Sequence, residues 1–293
     1  MERWIGRVAV LTGPTEGMGH YLAKQLVECG LIVAGVARNV EKMKKMEETL
    51  KHSTGRFVGF FMDLEDEDSI TKSFEEIEKT LGPVSALINM GSSSSNSNLL
   101  EDSIEAWEST INVNVLGPVI LMKLAIKSMK KNNIKGNIIN IGGTASYYTS
   151  VFQDYHFYSV SKFILRALGD ALRMEFRANN IPIRICHVGP GHIKTGVQDR
   201  LGLSGEIIET GFLYYASEFY HMQSHKLPRK FPFKCDGDNL YHNNVLPALE
   251  MNDVTSVIID ILSKRDDAEI MDVIMKPTDR QNSVFESDLY WRS

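Results

Sequence analysis

Between the β-branched run Arg7-Val8-Ala9-Val10-Leu11-Thr12 and an amphipathic stretch ending near Cys29 stands Gly13-Pro14-Thr15-Glu16-Gly17-Met18-Gly19. A strand that passes through closely spaced glycines directly into a helix is compatible with few architectures. Glycine accepts the tight turn, and without a side chain it lets backbone N–H groups close on an anion at the positive end of the helix. The segment therefore predicts the first βα unit of a dinucleotide-binding sheet, with a pyrophosphate seat along Gly13, Thr15, Gly17, Met18 and Gly19.

The remainder of the chain keeps that rhythm. Apolar strand-like runs cover Leu31 to Ala37, Arg56 to Met62, Pro83 to Met90, Gly136 to Ile141 and Ile183 to Val188. Helical stretches separate them: Val40 to Leu50, Asp66 to Leu81, a long one from Ile104 to Lys131, and one running to about Ala178. Gly117-Pro118 predicts a kink inside the long helix. Asp253 to Ser263 and Glu269 to Met275 add a last helix and strand. Such alternation predicts a doubly wound parallel sheet of the Rossmann type, three layers α/β/α, with ligands beyond the carboxyl ends of the strands. Neither a linker nor an internal repeat beyond βα divides the chain, so residues 1–293 read as a single domain. The rhythm breaks at about 194–250.

Composition narrows the function. A hydrophobic share of 43% and a net charge of -5 over 293 residues describe an ordinary soluble chain and give no support to nucleic-acid binding. Cys29, Cys186 and Cys235 form no CxxC pair, and the histidines form no ligand cluster, so no metal site and a reducing, cytoplasmic compartment are expected. The strand-like segment begins almost at once after Met1, which predicts no signal peptide, and no apolar run reaches the roughly 20 residues of a membrane span.

Cofactor choice is readable where the second strand ends. An NAD site needs a carboxylate there for the ribose hydroxyls. This chain has Ala37-Arg38-Asn39, and a guanidinium suits a 2′-phosphate, so NADP is expected. Farther on, Tyr158 and Lys162 lie one helical turn apart. An ammonium beside a phenol favours the phenolate, and the pair predicts an acid/base tyrosine with its pKa lowered from about 10.

Taken together, Thr12 to Gly19, Asp63-Leu64, Asn114, Tyr158-xxx-Lys162 and Pro190-Gly191-His192-Ile193-Lys194-Thr195 resemble the short-chain dehydrogenase/reductase family over nearly the whole length. Met1-Glu2-Arg3-Trp4 and Met275-Lys276-Pro277-Thr278 are most similar to the insect farnesol dehydrogenase-like group within it. The resemblance implies hydride transfer between NADP(H) and an alcohol or carbonyl, in a homodimer or homotetramer. It makes Tyr158 the acid/base and puts Lys162 on the nicotinamide ribose. Asn114, with Asn112 a close competitor, would hold a water linking Lys162 to solvent. Asp63 and Leu64 would meet the adenine and Asn89 the strand end beside the cofactor. Pro190, Gly191 and Ile193 would bind the cofactor, and Thr195 would touch the nicotinamide carboxamide.

Three departures from the family pattern matter. The usual Asn-Ile-Ser-Ser reads Asn140-Ile141-Gly142-Gly143, with Gly143 in place of the serine that polarises the substrate oxygen. Losing one such donor costs about 100- to 1000-fold in rate. Either Thr144 or Ser146 supplies a hydroxyl, or the protein is a weakened or inactive NADP-binding relative. With Tyr158, Gly143 and Thr144 are expected to face the substrate, and the smaller glycine admits a bulkier one. The usual Asn-Asn-Ala-Gly reads Asn89-Met90-Gly91-Ser92, followed by a serine run that predicts a flexible loop. Finally, the insertion at about 194–250 carries Phe212, Tyr214, Tyr215, Phe219, Tyr220, Phe231 and Phe233. It reads either as a lid over an isoprenoid- or steroid-like alcohol or carbonyl, or as a packed structural face.

Overall fold

In the computed structural model, residues 1–95, 98–150, 153–194 and 248–277 are described. Strand β1 (Val8–Thr12) is buried at every position. Its alternating side chains feed two separate cores, Ala9 and Leu11 on one face, Val8 and Val10 on the other. A strand covered on both faces has no polar side, which is why the run is continuously apolar. β2 (Ile32–Ala37), β3 (Arg56–Phe61), β4 (Val84–Asn89), β5 (Asn137–Ile141), β6 (Arg184–Pro190) and β7 (Asp272–Met275) complete a seven-stranded sheet. All pairings are parallel, in the order β3-β2-β1-β4-β5-β6-β7. The order reverses between β1 and β4, so a crevice opens above their carboxyl ends.

Helices α1 (Gly17–Glu28), α2 (Val40–Leu50), α3 (Glu67–Leu81), α4 (Ile104–Ile111), α5 (Gly117–Lys131), α6 (His156–Ala178) and α7 (Met251–Ser263) form the outer layers. The apolar stripes of α1, α2 and α7 close one core, those of α3, α5 and α6 the other. Several starts are capped by side chains: Asn39 accepts from the Lys42 N–H, Asp66 from Asp68 and Ser103 from Ala106. Each such cap stabilises by about 1 kcal/mol. The doubly wound three-layer sheet expected from the alternation is the observed fold.

The long helix differs from its expectation. Its irregularity is a π-turn at Asn112–Leu116, just ahead of the glycine-proline pair, rather than a kink at it. Pro118 has no N–H to offer the Asn114 carbonyl four residues back, so the ladder loosens there and Gly117 donates to the Asn112 carbonyl instead. A Cβ at residue 117 would stand 2.7 Å from the Leu64 carbonyl oxygen, so only glycine lets the helix approach that turn. The path Ile104–Lys131, 28 residues whose most apolar 18-residue stretch has a mean hydropathy of 1.5, is long and apolar enough to cross a membrane by length and composition alone. Here Leu121, Met122, Ala125 and Met129 are buried against the sheet, as in a core helix.

The serine-rich loop is the second difference. Its first half is tied down: Ser93 exchanges hydrogen bonds with Asn114, and Ser95 donates to the Asp102 carboxylate. Composition alone carried no sign of those partners. Thr195 and the aromatic residues Phe212 to Phe233 lie outside the described residues.

Candidate active site

Above the carboxyl ends of β1, β4, β5 and β6 lies a cleft of about 360 Å3. One end is the glycine loop. Gly13 takes a positive φ of 69°, and a Cβ on it would sit 3.0 Å from the Gly91 Cα. A Cβ on Gly19 would fall 2.1 Å from the Gly13 carbonyl oxygen. Glu16 precedes Gly17, the first residue of α1, and makes no side-chain cap, so the first N–H groups of the helix face the cleft without one. A backbone cradle that side chains would fill, at a positive helix end, fits a pyrophosphate. Gly17, Met18 and Gly19 line it.

At the other end stand Tyr158 and Lys162, both on α6 and both on the cleft wall. Lys162 is buried and donates to the Ile141 carbonyl at 3.2 Å. Its ammonium lies 5.3 Å from the centre of the Tyr158 ring. Burial governs both pKa values. It pushes the Tyr158 hydroxyl up to about 12, opposed by a hydrogen bond from the Ser92 side chain. It pulls Lys162 down to about 8. The expectation of a lowered tyrosine is therefore reversed: desolvation is the largest effect, and Lys162 is not among the groups that shift the phenol. Tyr158 keeps its proton through neutral pH and is poised to donate it.

Asn114 sits in the π-turn and is buried with its amide fully engaged. Its Oδ1 accepts the Ser93 N–H at 2.8 Å, and its Nδ2 donates to the Ser93 carbonyl at 2.8 Å and to Ser161 Oγ at 3.0 Å. It thus bolts the loop after β4 to the residue preceding Lys162. Asn112 opens the same π-turn and supplies its carbonyl to Gly117.

Gly142 and Gly143 also line the cleft. Gly143 has a φ of 80°. A Cβ there would have space, 3.6 Å from the Pro190 carbonyl oxygen, but the backbone is one that L side chains rarely adopt. Thr144 begins the turn Thr144–Ser146 and is not among the lining residues, and Ser146 is fully buried. Behind Gly142, Ser146 Oγ and His187 Nε2 lie 2.1 and 2.2 Å from where its Cβ would be. Neither has a hydrogen-bond partner among the described residues. Pro190, Gly191 and Ile193 line the floor as expected.

Other expected residues stand away from the cleft. Asn89 is buried and donates to Asn140 Oδ1 at 2.9 Å, tying β4 to β5 rather than facing a ligand. Asp63 accepts from the Glu65 N–H at 3.1 Å, and Leu64 packs against Gly91 and Gly117. Thr15 lies in the glycine loop without lining the cleft. Arg38, at the end of β2, is 69% exposed and meets Glu65 at 3.8 Å. The structure adds Glu16, Met90, Ser92 and His192 to the walls. His192 lay inside the Pro190-to-Thr195 motif, and the proximity of Ser92 to Tyr158 is a tertiary fact with no local signal.

Comparison with known proteins agrees with this geometry. The family model for short chain dehydrogenase matches residues 7–204. A Gallus gallus protein named dehydrogenase/reductase SDR family member 11 is 30% identical over 283 residues, covering 96% of this chain and 99% of that one. The farnesol dehydrogenase of Aedes aegypti is 30% identical over 220 residues, 74% of this chain and 88% of its own. Among solved structures, an alcohol dehydrogenase from the archaeon Thermococcus sibiricus, complexed with 5-hydroxy-NADP, superposes with a TM-score of 0.70. It shares 18% identity, with coverage of 93% and 97%.

Proposed function

Because the chain belongs to the short-chain dehydrogenase/reductase family, we propose that it is an NADP-dependent oxidoreductase acting on a lipophilic alcohol, ketone or aldehyde. The observation that carries this reading is the placement of Tyr158 and Lys162 at one end of a cleft whose other end is a glycine cradle. Gly13, Gly17, Met18 and Gly19 would hold the pyrophosphate, and Lys162, Pro190, Gly191 and Ile193 the nicotinamide half. A bound nicotinamide dinucleotide supplies a hydride to a carbonyl carbon, or takes one from an alcohol carbon. Tyr158 gives its hydroxyl proton to the carbonyl oxygen, or takes the alcohol proton in the reverse sense. The buried Lys162 ammonium would hold the ribose side. Asn114 and the π-turn fix α6 against the loop, so the distance between donor and substrate is set before binding.

Arg38 supports the NADP preference, being exposed at the end of β2 and only loosely paired with Glu65. Met18, Met90, Ile141 and Ile193 give the cleft an apolar lining, and the farnesol dehydrogenase relative suggests an isoprenoid-like alcohol. Free thiols at Cys29 and Cys186 suit the cytoplasm. We read the exposed α6 stripe of Val160, Phe163 and Ile164 as a homo-oligomer face.

The test is NADPH oxidation against a panel of apolar ketones and aldehydes, with cofactor affinity measured in parallel. Tyr158→Phe should lower kcat by at least roughly 100-fold, the usual worth of a positioned acid, with cofactor affinity nearly intact. Equal turnover by wild type and variant would sink the assignment. An inactive cofactor-binding relative, favoured by Gly143 alone, predicts that wild type binds NADPH and turns over nothing.

A further inference from the structure

Resting on that reading, one question is which group holds the substrate's oxygen when residue 143 is glycine. Among the described residues three hydroxyls are candidates. Thr144 starts a turn outside the lining of the cleft, and Ser146 is fully buried behind Gly142. Ser92 alone of the three lines the cleft together with Tyr158, and its side chain stands close enough to the Tyr158 hydroxyl to lower its pKa against the effect of burial. We propose that Ser92 is the catalytic hydroxyl that holds the substrate oxygen beside Tyr158, taking over from the serine absent at residue 143.

Its backbone is fixed on both sides. Ahead of it, the Met90 and Gly91 N–H groups both donate to Thr12 Oγ1, at 2.8 and 2.7 Å. Behind it, Ser93 is gripped at N–H and carbonyl by the Asn114 amide, which also donates to Ser161 on the tyrosine helix. Ser92 is therefore held between β1 and α6, and a donor held in place before the reaction needs no reorganisation when charge develops on the oxygen. A substrate oxygen bound in the cleft between Tyr158 and Ser92 would meet both hydroxyls. The Ser92 hydrogen turns from the tyrosine to the substrate, and the Tyr158 proton is then transferred to that same oxygen as the carbon receives the hydride. The strained φ at Gly143 explains why residue 143 is not the source: a serine there would need a backbone this turn does not offer.

The experiment compares wild type with Ser92→Ala, Ser92→Gly and Ser92→Thr for kcat, for its pH profile and for NADPH affinity. Ser92→Ala and Ser92→Gly should lose about 100- to 1000-fold in kcat, as for one oxyanion donor. NADPH affinity should hold within about twofold, marking a loss confined to the transition state. Ser92→Thr, which keeps the hydroxyl, should restore most of the rate. The acid/base limb of the Ser92→Ala pH profile should move to higher pH, because Tyr158 loses a donor to its oxygen. If Ser92→Ala and Ser92→Gly keep the wild-type kcat and pH profile, the inference is wrong and the oxidoreductase reading stands. A wild type that binds NADPH yet reduces nothing in the panel overturns both.

Discussion

His187 enters the sheet on β6 with both ring nitrogens lacking partners among the described residues, edge-on to Tyr147 at 5.9 Å. Burial pulls its pKa down to about 4, with Asp272 and Asp170 raising it and Lys162 and Arg166 lowering it. The folded state therefore binds fewer protons than the unfolded chain between about pH 4 and the ordinary 6.5. In that window stability falls as the pH is lowered, by about 3 kcal/mol at pH 4. Chemical denaturation of wild type and His187→Leu should give a difference in stability that changes below pH 6.5 and stays flat from pH 7 to 8. A flat difference throughout would mean the ring is not held neutral. At this scale the sequence was informative about chemistry and silent about environment. Tyr158 and Lys162 were recognisable by spacing, and both line the cleft. Their pKa directions were not recoverable, because depth of burial depends on segments far apart in the chain. Asn89 and Ser92 make the same point in opposite senses: one turned inward to Asn140, the other faced the tyrosine.

Elements were far more legible, since periodicity is local and each strand buried on both faces must be apolar throughout. The exception, the π-turn at Asn112–Leu116, depends on Pro118 acting on a carbonyl a turn away and on the close approach of Gly117 to Leu64. Proline signalled a disturbance but not its form. The glycine loop is an element with little tolerance for a side chain. At Gly19, the 2.1 Å between an added Cβ and the Gly13 oxygen leaves no room without moving backbone. Gly19→Ala should therefore displace the loop, a strain of about 1–3 kcal/mol that corresponds to roughly 5- to 150-fold weaker cofactor binding. Fluorescence titration with NADPH measures it, and an unchanged affinity would remove this loop from the cofactor site.

For the molecule as a whole, the two cores take up the apolar faces of the described helices, with one notable remainder. Val160, Phe163 and Ile164 are 41%, 40% and 36% exposed on successive turns of the helix that carries the tyrosine. Leu116 and Ile104 on the neighbouring helical path are also exposed. Homo-oligomerisation through this face predicts that Phe163→Asp yields a monomer in analytical ultracentrifugation, with the melting temperature of wild type rising with concentration and that of the variant not. A wild type already monomeric at high concentration would end the proposal.

Thr12 closes β1 with a side-chain oxygen that receives two amides from the loop after β4. The strand that launches the glycine cradle and the segment that presents Ser92 are thus referenced to one atom, like two fixtures dialled in from a single datum. If the two segments hold cofactor and substrate as proposed, their relative placement runs through this one joint, so Thr12→Val should loosen both together.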